Sequence, residues 1–266
     1  MADPYTNLAA AEANVQAAIL VALEARCEDP SQVAMRQRYL SRLSLPNGAV
    51  GVEFGSGTGH VARDMVEVAG CSEVLGIEPG PGLIARAREL FADVEGLSFS
   101  EGDAAETGLP SASQDLVVMH TLLCHVQDPA AILAEAARIA KPGALVVVFD
   151  GDYAATSVEV SSGDPLDVVV RHFIENFVHD KRFMRRASGL LEAAGFEIVE
   201  RWSEGYIPDD PNYFLSVIDR GADALVREGT VGKVFGEATK AEARQRVEDG
   251  RFFGFMSYIG LQAVRI

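Results

Sequence analysis

Residues 50–60 read Val-Gly-Val-Glu-Phe-Gly-Ser-Gly-Thr-Gly-His. An apolar run that ends in glycines indicates a buried strand that turns sharply into a helix. Glycine suits such a turn because it has no Cβ to block a tight bend or the approach of a ligand to the backbone. The helix that follows points its free N–H groups at whatever lies over the turn. The stretch therefore predicts a site for a nucleotide-type or carboxylate-bearing ligand.

The spacing of the glycines narrows the choice of ligand. Gly55, Gly57 and Gly59 alternate, and Glu53 lies two residues before the first of them. The dinucleotide-binding fingerprint has its third glycine one position later. The loop instead resembles motif I of the class I methyltransferases that use S-adenosylmethionine. The resemblance implies that the loop passes under the methionine part of this cofactor and that Glu53 helps to position it. A tight turn without a ligand is the alternative.

An acidic residue follows the second predicted strand. This strand, residues 73–77, ends in Glu78. A carboxylate at this point can accept two hydrogen bonds from a ribose diol, as in dinucleotide-binding folds about 20 residues past the glycines. We therefore expect Glu78 to bind the cofactor ribose, with an exposed acid at a strand end as the alternative. Pro79 and Leu83 are expected to contact the cofactor, Leu83 by packing on the adenine or else by facing the core.

Further motifs of the same family follow in order along the chain. Asp103 and Ala104 come after the third predicted strand. The resemblance implies that Asp103 binds the adenine amino group and that the backbone N–H of Ala104 meets a ring nitrogen. A fourth strand, residues 115–119, and the run Lys141-Pro142-Gly143 ahead of a fifth strand complete the series. The series resembles most the ubiquinone/menaquinone-type group, also described as methyltransferase type 11.

The resemblance implies an α/β fold. We expect a Rossmann-like, seven-stranded, mostly parallel sheet whose last strand is antiparallel, with helical cap and lid segments. The predicted units are an N-terminal helical cap (1–45), the S-adenosylmethionine-binding Rossmann-like domain (46–202 and 251–266) and a helical lid insertion (203–250). Asn7 and Ser31 are candidate N-caps of the two cap helices. Within the cap, Arg38 is a candidate for the cofactor carboxylate, with a solvated arginine as the alternative.

The chemistry that the family implies is methyl transfer, which leaves S-adenosylhomocysteine. The sulfonium is a good leaving group, so most of the rate can come from aligning the acceptor with the methyl group in a dry site. A general base is needed only if the acceptor must lose a proton. His125 is the first candidate for this base and His120 the second, because imidazole titrates near neutral pH. His120 is also a candidate contact of the cofactor, and for His125 a positioning or capping role is the alternative.

Residues of the acceptor pocket are harder to identify. The fourth strand is followed by His120-Thr121-Leu122-Leu123 rather than by the Asn/Asp-Pro-Pro-Tyr run of enzymes that methylate nucleic acid bases or glutamine. This difference favours a small-molecule acceptor. The candidate lining residues are Tyr5, Tyr153, His172 and Asn176. Packing aromatic residues and a solvated helix face are the alternatives.

A metal ion is not expected. Catechol-type enzymes of this fold bind magnesium with acids after strands four and five. Asp150 and Asp152 follow the fifth predicted strand, but the fourth ends in His120 rather than in an acid. Magnesium prefers oxygen ligands, so the sequence predicts a reaction without a metal.

Composition excludes several classes of partner. The 266 residues carry a formal net charge of -16 and no dense basic run. Nucleic acid is therefore not an expected partner, because binding to phosphates needs clustered Lys and Arg. We expect no membrane span and no signal peptide. An odd number of widely spaced cysteines indicates reduced thiols and a cytoplasmic location. A homodimer is compatible with the sequence.

The sequence thus predicts an enzyme, an S-adenosylmethionine-dependent methyltransferase that acts on a metabolite or a natural-product intermediate. The alternative is a cyclase or isomerase of the same fold that binds the sulfonium without transferring its methyl group. A non-enzymatic regulatory protein is a third interpretation, and the intact set of Gly55, Glu78 and Asp103 argues against it.

Overall fold

The computed structural model describes residues 13–266. This part of the chain forms one seven-stranded sheet in the order β3-β2-β1-β4-β5-β7-β6. The strands are β1 Val50–Phe54, β2 Glu73–Glu78, β3 Leu97–Glu101, β4 Gln114–His120, β5 Ala140–Ser157, β6 Phe196–Tyr206 and β7 Phe255–Arg265. β7 lies between β5 and β6 and is antiparallel to both. The prediction of a mostly parallel sheet with an antiparallel last strand is confirmed.

Nine helices surround or precede the sheet in the described residues. They are α1 Ala13–Glu28, α2 Pro30–Leu40, α3 His60–Glu67, α4 Pro81–Leu90, α5 Pro129–Ile139, α6 Pro165–Phe177, α7 Ala187–Ala193, α8 Asn212–Arg227 and α9 Lys233–Glu248, with a short 3₁₀ helix at Phe183–Arg185. α8 packs against α1, α6 and α9. The helices that were expected in a cap and a lid therefore contact each other, while the division into three units stays a prediction.

The start of α2 differs from the prediction. Asp29 is the N-cap, and its carboxylate accepts hydrogen bonds from the backbone N–H groups of Ser31 and Gln32. Ser31 was expected to be the cap, but Pro30 occupies the first helical position, where its fixed φ favours a helix start. The cap therefore falls on Asp29. Asn7, the other candidate cap, lies outside the described residues.

The centre of the sheet positions the site. β1 pairs in parallel with β2 on one side and with β4 on the other. Chain order therefore reverses between β1 and β4, and in open α/β sheets ligands bind beyond the carboxyl ends of the strands at such a point. Apolar side chains such as Val52, Phe54 and Leu116 are fully buried there. This packing holds the strand ends, and the polar residues that follow them, in fixed positions.

Strands β5 and β6 extend beyond the parallel part of the sheet. β5 continues past Phe149 to Ser157, and β6 continues past Trp202 to Tyr206. The reason is the long antiparallel β7, which pairs with both strands beyond the parallel part of the sheet. None of the described helices is long and apolar enough to cross a bilayer.

Candidate active site

A cavity of about 430 Å³ lies at the carboxyl ends of β1, β2 and β4. Ten of the residues predicted from the sequence line it: Glu53, Gly55, Gly57, Glu78, Pro79, Leu83, Asp103, Ala104, His120 and His125. Leu23, Arg26 and Cys27 of α1 also line it. The strand-end motifs therefore meet in one cleft, which the first helix covers in part.

Two glycines of the β1–α3 loop have different functions in the structure. Gly57 has a φ of +52°, and a Cβ placed on it would meet nothing closer than a methyl of Leu23 at 4.0 Å. Its backbone is therefore open to the cavity. A Cβ on Gly59 would lie 2.5 Å from the ring of Phe99. Gly59 does not line the cavity but allows α3 to pack closely against β3.

Glu78 joins the ends of β1 and β2. One carboxylate oxygen accepts the backbone N–H of Gly57 at 3.1 Å, and the other accepts the N–H of Gly80 at 3.0 Å. The side chain is buried, and burial raises the pKa of this carboxyl although both hydrogen bonds lower it. Glu78 thus fixes the shape of the glycine loop from the edge of the cavity.

Asp103 follows β3 and lines the cavity at a point separate from Glu78. Its residue is exposed, and one carboxylate oxygen accepts the backbone N–H of Ala105 at 2.8 Å. An aspartate that bonds the backbone two residues on is fixed in a turn. This turn places the carboxylate of Asp103 and the buried Ala104 side by side on the cavity wall.

Glu53 is an acid buried in the wall. It is 2% exposed, and one of its oxygens has no hydrogen-bond partner among the described residues. Burial raises the pKa of this carboxyl well above its usual range. Buried polar atoms in proteins are normally paired. An unpaired oxygen on a cavity wall is a binding point for a donor group of a ligand.

His120 ends β4 with a neutral imidazole. Its Nδ1 lies 2.9 Å from the hydroxyl of Tyr39. Burial, followed by the positive charges of Arg26 and Arg36, holds its pKa well below the usual value. The next residue, Thr121, has a φ of +53° and accepts a hydrogen bond from the guanidinium of Arg26 at 2.9 Å. Hydrogen bonds therefore connect the end of β4 to both α1 and α2.

His125 lies in the loop after β4, close to Asp150 of β5. Its ring contacts the ring of Tyr153 edge-on, with centroids 5.9 Å apart. Asp150 is 1% exposed and accepts hydrogen bonds from the backbone N–H and the thiol of Cys124. Burial raises the pKa of Asp150, and the charge of His125 counteracts this shift. The arrangement places the imidazole of His125 on the cavity wall with a buried carboxyl near it.

Several predicted residues lie outside the cavity. Arg38 is exposed and pairs with Glu204 at 3.0 Å, so its placement does not fit a role at the cofactor carboxylate. His172 contacts the carboxylate of Glu228 at 3.2 Å, and Asn176 donates to the backbone carbonyl of His172. Neither of these two α6 residues lines the cavity.

Two further residues were considered above, Tyr5 for the acceptor pocket and Asp152 for a metal ion. Tyr5 lies outside the described residues. Asp152, considered above as a metal ligand, forms an ion pair with Arg185 through both carboxylate oxygens. Among the described residues, no group of three His, Cys, Asp or Glu side chains is placed to hold a metal ion.

The structure adds cavity residues that sequence reasoning missed. Arg26 comes from the last turn of α1, and His60 begins α3 directly after the glycine loop. His60 is buried beside Thr58, whose hydroxyl lies 3.0 Å from its Nδ1. Burial and the charges of Arg36 and Arg63 lower the pKa of His60 to about 4. Its position immediately after Gly59 was the signal available in the sequence.

Comparisons with known proteins agree with the site. Residues 52–148 match the model of a family described as "Methyltransferase domain". An uncharacterized methyltransferase of Schizosaccharomyces pombe is 30% identical over 115 residues, 40% of this chain and 41% of that protein. The demethylmenaquinone methyltransferase of Bacillus licheniformis is 26% identical over 116 residues, 43% of this chain and 50% of that protein. The chain thus spans about half the length of these curated relatives, or less.

The fold extends beyond the matched segment. The crystal structure of the 4+2 cyclase SpnF is similar with a TM-score of 0.56 at 19% identity, over 88% of this chain and 83% of that one. At this identity the likeness concerns the fold alone. The family match defines the class of domain: residues 52–148 resemble the methyltransferase domain of S-adenosylmethionine-dependent enzymes.

The residues present fit the cofactor of this class. The open backbone at Gly57 leaves space where a side chain would otherwise lie, and Glu53, which lines the cavity, has an oxygen available to accept a hydrogen bond. Glu78 and Asp103 supply acceptors at two separate points of the same wall. Arg26 is the cavity cation that is suited to a carboxylate.

Proposed function

We propose that this protein transfers a methyl group from S-adenosylmethionine to a small-molecule acceptor. The observation that supports this most directly is the single cavity that gathers Gly57, Glu78 and Asp103 at adjoining strand ends. The net charge of -16 and the helix α1, which lines the cavity, favour a small, enclosed acceptor rather than a polyanion. The demethylmenaquinone methyltransferase among the relatives acts on a molecule of this kind.

The polar groups of the cavity bind different parts of the cofactor. The loop at Gly57 and the carboxylate of Glu53 hold the amino-acid part of the cofactor, and Arg26 binds its carboxylate in place of Arg38. Glu78 binds the ribose hydroxyls. Asp103 and Ala104 bind the adenine. The cofactor supplies the activated methyl group, so the protein has to orient the two reactants and exclude water.

His125 is the proposed general base for an acceptor that must lose a proton. It lies at the cavity wall, and the buried carboxyl of Asp150 lies near it. Transfer of a proton to a positioned side chain typically contributes about 10²–10⁴-fold to a rate. His120 is held neutral by burial, and its bond with Tyr39 suits it to positioning rather than to proton uptake.

Binding and turnover test the proposal separately. Isothermal titration with S-adenosylmethionine should give one site per chain, and absence of binding at millimolar concentration would discard the proposal. Incubation with a methyl-labelled cofactor and a metabolite extract should then label a small molecule, which mass spectrometry identifies.

The same labelling experiment decides the alternative of a cyclase or isomerase. The similarity of the fold to SpnF is compatible with that alternative and does not favour it over methyl transfer. A product heavier than its substrate by one methylene unit supports transfer. Conversion of a substrate to an isomer of unchanged mass, with the cofactor retained, supports the alternative.

A further inference from the structure

A second, smaller cavity adjoins the first. Its volume is about 30 Å³, which is room for about two water molecules. It shares Leu23, Arg26 and His125 with the larger cavity. Because Leu23, Arg26 and His125 form the common wall, an acceptor bound beside the cofactor can extend into this region.

The walls of the second cavity are mostly aromatic and apolar; the polar side chains are Arg26 and His125, which it shares with the first cavity, and Ser216 and Arg220. Tyr153, Phe173 and Phe177 contribute rings from β5 and α6. Arg220 of α8 completes the wall. Its guanidinium carbon lies 4.8 Å from the ring centroid of Phe173 and 5.1 Å from that of Phe177. A guanidinium over an aromatic face is held in place while its N–H donors stay available.

The acids near Arg220 are already paired with other residues. Asp219, beside it in the sequence, bonds Arg244, and Asp223, one turn further on, bonds Lys240. No ion pair joins Arg220 to a carboxylate within residues 13–266. A half-buried guanidinium without an acid is a site for an anion, because its charge and its planar donors match a carboxylate.

We propose that Arg220 binds a carboxylate of the acceptor in this second cavity, so that the acceptor is a small apolar or aromatic acid. The size of the cavity favours a carboxylate over a bulkier anionic group. The body of the acceptor then extends along Leu23 and His125 toward the methyl group, and Arg26 remains with the cofactor. This inference rests on the proposed function, because it assigns the acceptor of the same site.

The test uses benzoate as the probe and benzamide as its neutral match. Each is titrated into the full-length ¹⁵N-labelled protein, with and without saturating S-adenosylhomocysteine, and followed by chemical shift. The wild type should bind benzoate at least about tenfold more tightly than benzamide, as for a charge-assisted hydrogen bond. Arg220→Met should remove this preference and leave benzamide affinity unchanged. Arg227→Met, which changes an exposed arginine two turns further along the same helix and outside the cavity, should keep the preference.

Equal affinity of the wild type for the two probes would overturn the inference without any variant. Retention of the preference in Arg220→Met would also overturn it, since the anion would then bind elsewhere, for example at Arg26. If Arg220→Met fails to fold, Arg220→Lys is used instead. An ammonium group lacks the planar set of N–H donors of a guanidinium, so the preference for benzoate over benzamide should decrease. Titration of S-adenosylmethionine into the same proteins distinguishes failure of the proposed function from failure of the inference about Arg220. A cofactor that binds while the benzoate preference is absent rejects only the inference about Arg220.

Discussion

The hydroxyl of Tyr39 lies 2.9 Å from Nδ1 of His120, and the rings of both residues stack against Phe149. Tyr39 belongs to α2, and His120 ends β4 at the floor of the cavity. A neutral imidazole has one N–H group, and the hydroxyl of Tyr39 can donate to Nδ1 or accept from it, so this bond couples the tautomer of His120 to the orientation of the Tyr39 hydroxyl. The N-terminal helices therefore act on the site through a buried hydrogen bond as well as by covering it.

Replacing Tyr39 by phenylalanine should separate this effect from simple packing. The change leaves Nδ1 of His120 unpaired, which lowers the free energy of unfolding by about 1–3 kcal/mol. We expect S-adenosylmethionine affinity to fall several-fold, because His120 loses its fixed orientation. Tyr258→Phe is the matched control: its buried hydroxyl accepts a hydrogen bond from Gln32 and does not line the cavity. Denaturation and calorimetry measure both quantities, and equal cofactor affinity in both variants would contradict the role of Tyr39.

Gly57→Ala tests the open backbone of the glycine loop. Gly57 and Gly48 both have a positive φ, and a Cβ would have no close contact at either position. Alanine in this conformation costs about 1–2 kcal/mol at each position. Only at Gly57 does the new methyl enter the cavity. Calorimetry should show at least a tenfold loss of S-adenosylmethionine affinity for Gly57→Ala and none for Gly48→Ala. Similar affinities would mean that the cofactor does not approach this backbone.

Glu78→Gln tests the carboxylate at the end of β2. Each of its two oxygens accepts a backbone N–H, and an amide has only one oxygen to offer. We expect the free energy of unfolding to fall by about 1–3 kcal/mol, because one donor is left unpaired. S-adenosylmethionine affinity should fall at least tenfold. Glu101→Gln is the control, since Glu101 pairs with Glu78 in the β2–β3 register but is exposed and outside the cavity. A wild-type affinity of Glu78→Gln would refute contact with the ribose.

The strand-end residues were predictable because parallel strands bring their carboxyl ends to one edge. Glu78 and Asp103 needed only the strand pattern and the glycine loop to be placed in a common cleft. The expected position of Arg38 was wrong because a contact between α2 and α3 determines which way the side chains of α2 point. Arg36 forms a buried ion pair with Asp64 of α3 at 2.5 Å, which fixes the rotation of α2. Residues two apart on a helix point to nearly opposite sides. Arg38 therefore faces solvent and Glu204.

The sequence also does not show which face of α6 turns toward the site. His172 and Asn176 share one face of this helix, and Phe173 and Phe177 share the next face. The sequence shows both stripes, but the rotation of α6 depends on α8, which packs against it. The aromatic stripe turns toward the second cavity, and the polar stripe turns away from it. Arg26 was missed because nothing in the sequence fixes how α1 lies over the strand ends.

His125→Gln tests the proposed general base. With the acceptor identified by labelling, kcat should fall about 10²-fold or more, as for loss of a positioned base. S-adenosylmethionine affinity should stay within twofold of the wild type, because the base acts on the acceptor. His172→Gln is the control, since it changes a histidine outside both cavities. An unchanged kcat of His125→Gln would assign this residue a packing role against Tyr153.

The depressed pKa of His60 predicts how stability depends on pH. The folded protein holds this imidazole neutral down to a pKa of about 4, because it is buried and near Arg36 and Arg63, whereas in the unfolded chain it titrates at its usual 6.5. Below pH 6.5 the unfolded chain takes up a proton that the folded protein does not. The contribution of His60 to stability is therefore full above pH 6.5 and is lost as the pH falls toward 4. By linkage the loss is about 2 kcal/mol at pH 5.

His60→Asn removes this proton uptake, so its free energy of unfolding should fall less than that of the wild type between pH 7 and pH 5. The buried acids Glu53, Glu78 and Asp150 have raised pKa values and act in the opposite direction. They are present in both proteins, so they cancel in the difference between the two curves. The substitution also changes packing against Phe91, which shifts the whole curve without changing its slope. Urea denaturation at a series of pH values measures the slopes, and parallel curves would show that His60 is not held neutral by the fold.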